Sequence, residues 1–122
     1  MKGLFAIAAA LALLVGCASS GKGFKEQNLA QFEPGKTTFK EAETLLGAPA
    51  EQVVAAQNGA TVAYWRHITA NGVTGSTGLK QVGLLFSADG RFLQLVQYNG
   101  ITLPEKDRQR LINGLESYYQ HQ

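Results

Sequence analysis

The stretch TFKEAETLLGAPAEQVVAAQNGATVAYWRHIT, Thr38 to Thr69, decides the fold, because its hydrophobic period changes midway from helical to strand-like. Thr38 and Glu41 are spaced as a capping box, in which each side chain satisfies a backbone N–H at a helix start. Ala42, Leu45 and Leu46 then fall on one helical face, while Lys40, Glu41 and Glu43 stay polar. Gly47 is placed to end the helix and Pro49 cannot continue it. After Pro49 the pattern is that of strands. Glu51 to Gln57 and Ala60 to Thr69 flank Asn58-Gly59, a strong hairpin signal because both residues tolerate positive φ. In the second strand Val62, Tyr64, Arg66 and Ile68 share one face, and Trp65 and His67 share the other.

Working outward, Asn71 to Lys80 contains three Gly and two Thr and reads as a long flexible loop. Gln81 to Ser87 and Arg91 to Tyr98 form a second hairpin across Ala88-Asp89-Gly90, with Val82, Leu84 and Phe86 alternating as a buried face. Near the C-terminus Thr102 and Glu105 are spaced as another capping box, and Leu111, Ile112, Leu115, Tyr118 and Tyr119 recur at helical spacing. On the other side, Phe24, Leu29 and Phe32 mark a short helix or turn. The expected class is therefore α+β: short N-terminal helices packed on an antiparallel β-meander of three to four strands, with a C-terminal helix. At 122 residues the chain suits one domain, expected over 24–122.

The first residues carry a different signal. Met1-Lys2 is a positive start, and Gly3 to Val15 is apolar, uncharged and too short for a membrane-spanning helix. This is the pattern of an export signal peptide, expected over residues 1–16. Leu14-Val15-Gly16-Cys17 resembles the lipobox of bacterial lipoproteins, which implies lipid attachment at Cys17, the chain's single Cys. Several acyl chains make such an anchor stable where one does not. The small polar run Ala18 to Gly23 then reads as a flexible tether, so 17–23 is expected to link lipid and domain. Ala18-Ser19 lacks the Asp that keeps enterobacterial lipoproteins in the inner membrane, so the expected location is the outer membrane, facing the periplasm.

Composition and motifs narrow the chemistry. The formal charge is +2, or +1 once Lys2 leaves with the signal peptide, too little to indicate nucleic acid. Lys106, Arg108 and Arg110 cluster on the last helix, where they read as a solvated face. Gly35-Lys36-Thr37 resembles a phosphate loop, but the position requiring the first Gly is Ala30. The two histidines, His67 and His121, lack an obvious partner, and no metal-ligand spacing or nucleophile–base set is present. No cofactor, metal or enzymatic activity is expected. Tyr64, Trp65 and His67 are instead candidates for a partner-binding surface, since Tyr and Trp are enriched at binding hot spots.

Phe32-Glu33-Pro34-Gly35-Lys36-Thr37-Thr38, continuing through Glu41-Ala42 to Leu45-Leu46-Gly47-Ala48-Pro49, resembles the SmpA/OmlA family of small outer-membrane lipoproteins. The resemblance implies two helices against a three-stranded antiparallel sheet, and a protein partner in the envelope such as the β-barrel assembly machinery. The Asn71–Lys80 loop and the terminal helix depart from that pattern, so no partner-binding residue is carried over. Two functions follow as expectations: a non-enzymatic protein-binding lipoprotein in outer-membrane assembly or integrity, or an inhibitor or exclusion factor whose loop blocks a cell-wall hydrolase, phage or conjugation partner.

Overall fold

The computed structural model describes residues 19–21, 23–70 and 72–116. Residues 1–16, Cys17, Tyr118, Tyr119 and His121 lie outside the described residues, and with them the expected signal peptide and lipid attachment. The fold is α+β. Five antiparallel strands, β1 (Ser19–Gly21), β2 (Gln52–Ala55), β3 (Thr61–Ala70), β4 (Thr77–Phe86) and β5 (Phe92–Asn99), form one sheet. A 3-10 helix (Glu26–Gln31), α1 (Phe39–Leu46) and α2 (Glu105–Ile112) supply its core partners.

Helix α1 starts and stops where its local chemistry dictates. Thr38 Oγ1 accepts from the Glu41 amide at 3.1 Å, and Glu41 Oε1 accepts from the Thr38 amide at 3.3 Å, completing the capping box. Gly47 closes it in the left-handed conformation at φ 75°. Ala42 and Leu46 are buried, with Phe39 and Leu45 packed against the same core. Replacing Thr38 with Ala removes the cap and is expected to lower stability by about 1 kcal/mol, read as a lower urea midpoint at unchanged slope.

The hairpin turn forms as the sequence indicates, with Asn58 at φ 61° and Gly59 at φ 79°. From it β3 runs antiparallel to β4 without interruption from Thr61↔Phe86 to Ala70↔Thr77. This ladder corrects the expected loop at Asn71–Lys80: Thr77–Lys80 is strand, and the connection shrinks to 71–76. Pairing is a backbone interaction, and Gly and Thr do not prevent it. The same reason corrects the tether. Ser19–Gly21 is an edge strand, with Ser19 opposite Thr69 and Gly21 opposite His67.

Strand β5 departs from simple alternation. Register shifts between its pairings to Gly83 and Leu84, and to Leu85 and Phe86, mark two irregularities. They bring Phe92, Leu95 and Tyr98, three residues apart, opposite Phe86, Leu84 and Val82. Phe92 and Leu95 thereby join Phe86, Leu84, Val82, Ala63 and Trp65 in one buried layer. Glu26, Leu29 and Phe32 repeat every third residue, the period of the 3-10 helix, and all three are buried. Phe32 meets Phe92 edge-on at 5.2 Å, and Phe39 meets Phe86 at 5.1 Å.

The C-terminal helix differs from its sequence reading in two ways. Pro104, not Thr102, occupies the N-cap position, and no side chain caps the helix. Leu103 is buried just before it, so packing places the chain there rather than a local hydrogen bond. Arg110 is exposed, as expected, but it also makes a tertiary contact. Its guanidinium donates to the Phe32 carbonyl at 2.8 Å and the Ala30 carbonyl at 3.0 Å, fastening α2 to the end of the 3-10 helix. Arg108 stacks over the Tyr98 ring at 5.4 Å.

Candidate functional site

The three residues expected to share a binding surface are separated by the pleat. Trp65 is 1% exposed, and its Nε1 donates to the Ala48 carbonyl at 2.8 Å. It belongs to the core and cannot meet a partner. The Gly47 turn explains the contact: the left-handed residue redirects the chain and brings the next carbonyl to the indole. His67 lies on the Trp65 side of the sheet, half-buried, opposite Gly21 and Lys80 in the neighbouring strands. Lys80 reaches Glu26 Oε1 at 3.0 Å, an ion pair whose carboxylate is almost wholly buried. Of the three, Tyr64 alone looks away from the helices.

Around Tyr64 the opposite sheet face forms a continuous surface. Cross-strand pairing aligns Val54, Val62 and Leu85 in one row, and Gln52, Tyr64, Gly83 and Gln97 in the next. Ile68 and Leu79 pair further along. These positions alternate with the buried layer, and among the described residues no helix supplies core residues to their side. Val54 and Leu79 are exposed, while Val62, Tyr64, Ile68 and Leu85 are half-buried.

Gly83 is the residue that shapes this surface. A Cβ there would stand 2.9 Å from Tyr64 Cε1 and 3.2 Å from Cδ1, so the aromatic ring lies across the glycine. Tyr64 thus packs flat on the sheet instead of projecting from it. Beside it is a shallow depression of about 320 Å³, bounded by Gln52, Val54, Tyr64, Arg66, Gln81 and Gln97, with Glu51 at its rim. Arg66 Nη2 meets Glu51 Oε1 at 2.9 Å. Both groups are partly exposed, so the pair orients Arg66 more than it stabilises the fold. The surface is mixed: Val54, Val62, Tyr64 and Leu85 form one apolar group and Ile68 and Leu79 another, with the Arg66–Gln81 row between them, and its shallow depression does not enclose a small ligand.

A larger concavity of about 650 Å³ lies between the 33–38 segment and α1. Several of its polar groups are already engaged: Thr38 and Glu41 cap the helix, and Thr37 Oγ1 accepts from the Glu33 amide at 2.8 Å. Asp89 has its carboxyl held below the ordinary carboxylate range, chiefly by the Ser87 hydroxyl and further by Arg91, but it sits in the β4–β5 turn. Among the described residues, no group of three His, Cys, Asp or Glu side chains is arranged to hold a metal ion.

The sequence placed Tyr64 and Trp65 on opposite faces but not which face was covered. It also missed Val54, Leu79, Leu85 and Gly83 as members of the surface. A glycine within an apolar strand was the available signal, since such a residue often marks close approach by another group. Compared with family models, with curated proteins and with solved structures, the chain matches none.

Proposed function

We propose that this chain is a non-enzymatic envelope lipoprotein, anchored through Cys17 and facing the periplasm, that binds a protein partner in outer-membrane assembly or integrity. One observation carries the reading: an apolar sheet face around Tyr64 that the helices leave uncovered. Large exposed apolar surfaces on small domains commonly serve interaction. The resemblance of Phe32–Pro49 to the SmpA/OmlA family supports the same direction and makes β-barrel assembly subunits the first partners to seek. The leader and lipobox-like Leu14–Cys17 support the anchor.

A second reading, an inhibitor or exclusion factor, draws on the β3–β4 hairpin. Its described tip residues are all exposed, Val73 at 96%, and a projecting hairpin suits insertion into a target cleft. This hairpin tip now takes the place of the longer loop expected from sequence.

Both readings meet one experiment: crosslinking in intact cells, detergent solubilisation and capture of the tagged full chain, compared with Tyr64→Arg and Cys17→Ser. Tyr64→Arg is expected to lower recovery of barrel-assembly subunits about tenfold or more, the effect of losing a hot-spot aromatic. Cys17→Ser is expected to lose fatty-acid labelling and membrane attachment. Equal recovery with Tyr64→Arg would move binding off this face, and recovery of a hydrolase, phage or conjugation protein instead would favour the hairpin. Labelling that survives Cys17→Ser would remove the anchor from the proposal.

A further inference from the structure

Among the described residues, strand β2 is an uncovered edge: all four of its residues are exposed, Val53 at 51% and Val54 at 42%, and it pairs with β3 alone. The Ala56 amide donates to the Ala60 carbonyl, which sets the phase of the ladder. By alternation Gln52 and Val54 turn their amides and carbonyls toward β3, while Val53 and Ala55 turn theirs outward. Exposed edges are ordinarily blunted by charge, proline or a bulge, because unpaired backbone groups accept any strand that fits. From Gln52 through Trp65 this sequence has no charged residue and no proline.

We propose that the edge of β2 pairs antiparallel with β2 of a second copy of this chain, about a twofold axis through Val54. In that register Val53 of each copy faces Ala55 of the other, and their outward amides and carbonyls form the hydrogen-bonded pairs. Val54 meets its own counterpart on the open face, and Glu51 falls opposite Gln57, so no like charges oppose each other. An isologous contact requires such self-complementarity. The pairing joins the two sheets edge to edge and places their Tyr64 faces side by side. A four-residue strand is a small contact beside the ~1,200 Å² that stable interfaces bury, so the dimer is a reversible one that grows with concentration. The inference stands on the strand edge alone and does not depend on the proposed partner.

Disulfide trapping tests it. Residues opposite each other at a non-hydrogen-bonded antiparallel position have Cα atoms about 4.5 Å apart, within the range a disulfide spans. The full chain carrying Val54→Cys, purified in detergent micelles, is oxidised over a concentration series. The parent chain, whose only Cys is Cys17, and Lys106→Cys on α2 serve as references. Val54→Cys is expected to form covalent dimer at least tenfold faster than either. Adding Val53→Pro, which removes an outward amide, or Val53→Lys, which charges the edge, is expected to return the rate to the reference. Circular dichroism confirms folding, and should Val53→Pro unfold the chain, Val53→Lys decides. A Val54→Cys rate no greater than that of Lys106→Cys would overturn the proposal, as would fast trapping that the folded Val53 variant leaves unchanged.

Discussion

Replacing Trp65 with Ala is expected to lower unfolding free energy by about 3–5 kcal/mol, the range for deleting a large buried aromatic side chain. The indole is 1% exposed, stands 6.2 Å from the Phe39 ring and faces Val82 across the β3–β4 ladder. It also satisfies the Ala48 carbonyl that emerges from the end of α1. Its removal therefore loosens α1, the Gly47 turn and the central strand pair together. A domain of this size typically has 5–15 kcal/mol of stability, so the loss is a large share. Trp65→Phe keeps most of the apolar volume but leaves the Ala48 carbonyl unpaired, and is expected to cost about 1–3 kcal/mol. Urea unfolding followed by far-ultraviolet circular dichroism is the appropriate measurement, because both variants lack the chain's single Trp and its fluorescence. A Trp65→Ala cost below about 1 kcal/mol would place the indole outside the core and restore it as a surface candidate.

The second large effect is expected at Gly100, through two separable causes. Gly100 has φ 67°, and a Cβ built there would collide with the Leu79 carbonyl of β4. The obstacle is backbone, so it cannot swing aside as a side-chain end would. Two other glycines isolate each cause. Gly75 has φ 71° with open space around it, and Gly75→Ala is expected to cost about 1–2 kcal/mol for the left-handed conformation alone. At Gly114 a Cβ would press on the Leu93 carbonyl and on Pro34 Cγ at 2.8 Å, so Gly114→Ala is expected to cost about 1–3 kcal/mol as overpacking. Gly100→Ala carries both costs, about 2–5 kcal/mol. Chemical denaturation of the three variants in parallel gives the order. Were Gly100→Ala no worse than Gly75→Ala, the close approach of the 100 turn to β4 would be refuted.

The uncovered face and the β2 edge give the molecule two surfaces with different demands. Tyr64 offers side-chain recognition on a layer held flat by Gly83, whereas β2 offers backbone groups that only another strand can pair. A substitution at Tyr64 and one at Val53 therefore report on different events, and neither residue belongs to the buried cluster around Trp65. Among the described residues, no helix is long and apolar enough to cross a membrane.

What the sequence by itself determined was whatever is settled within four or five residues. The Thr38–Glu41 capping box, the Gly47 stop and the Asn58-Gly59 turn were legible because each is closed by its own neighbours, and each stands in the structure. Alternation likewise put Tyr64 and Trp65 on opposite sides of β3. The rest depended on partners far along the chain. Arg110 is anchored by carbonyls 78 and 80 residues away, and Lys80 by Glu26, 54 residues away. Backbone pairing drew Ser19–Gly21 and Thr77–Lys80 into strands although their composition reads as tether and loop. The irregularities of β5 and the buried Leu103 ahead of α2 answer to the shape of the core. Only the tertiary structure decided which sheet face the helices cover, and with it that Trp65 is core and Tyr64 is surface. The physical reason is that a period of two gives the faces of a strand but not their environment, which is set when distant elements pack.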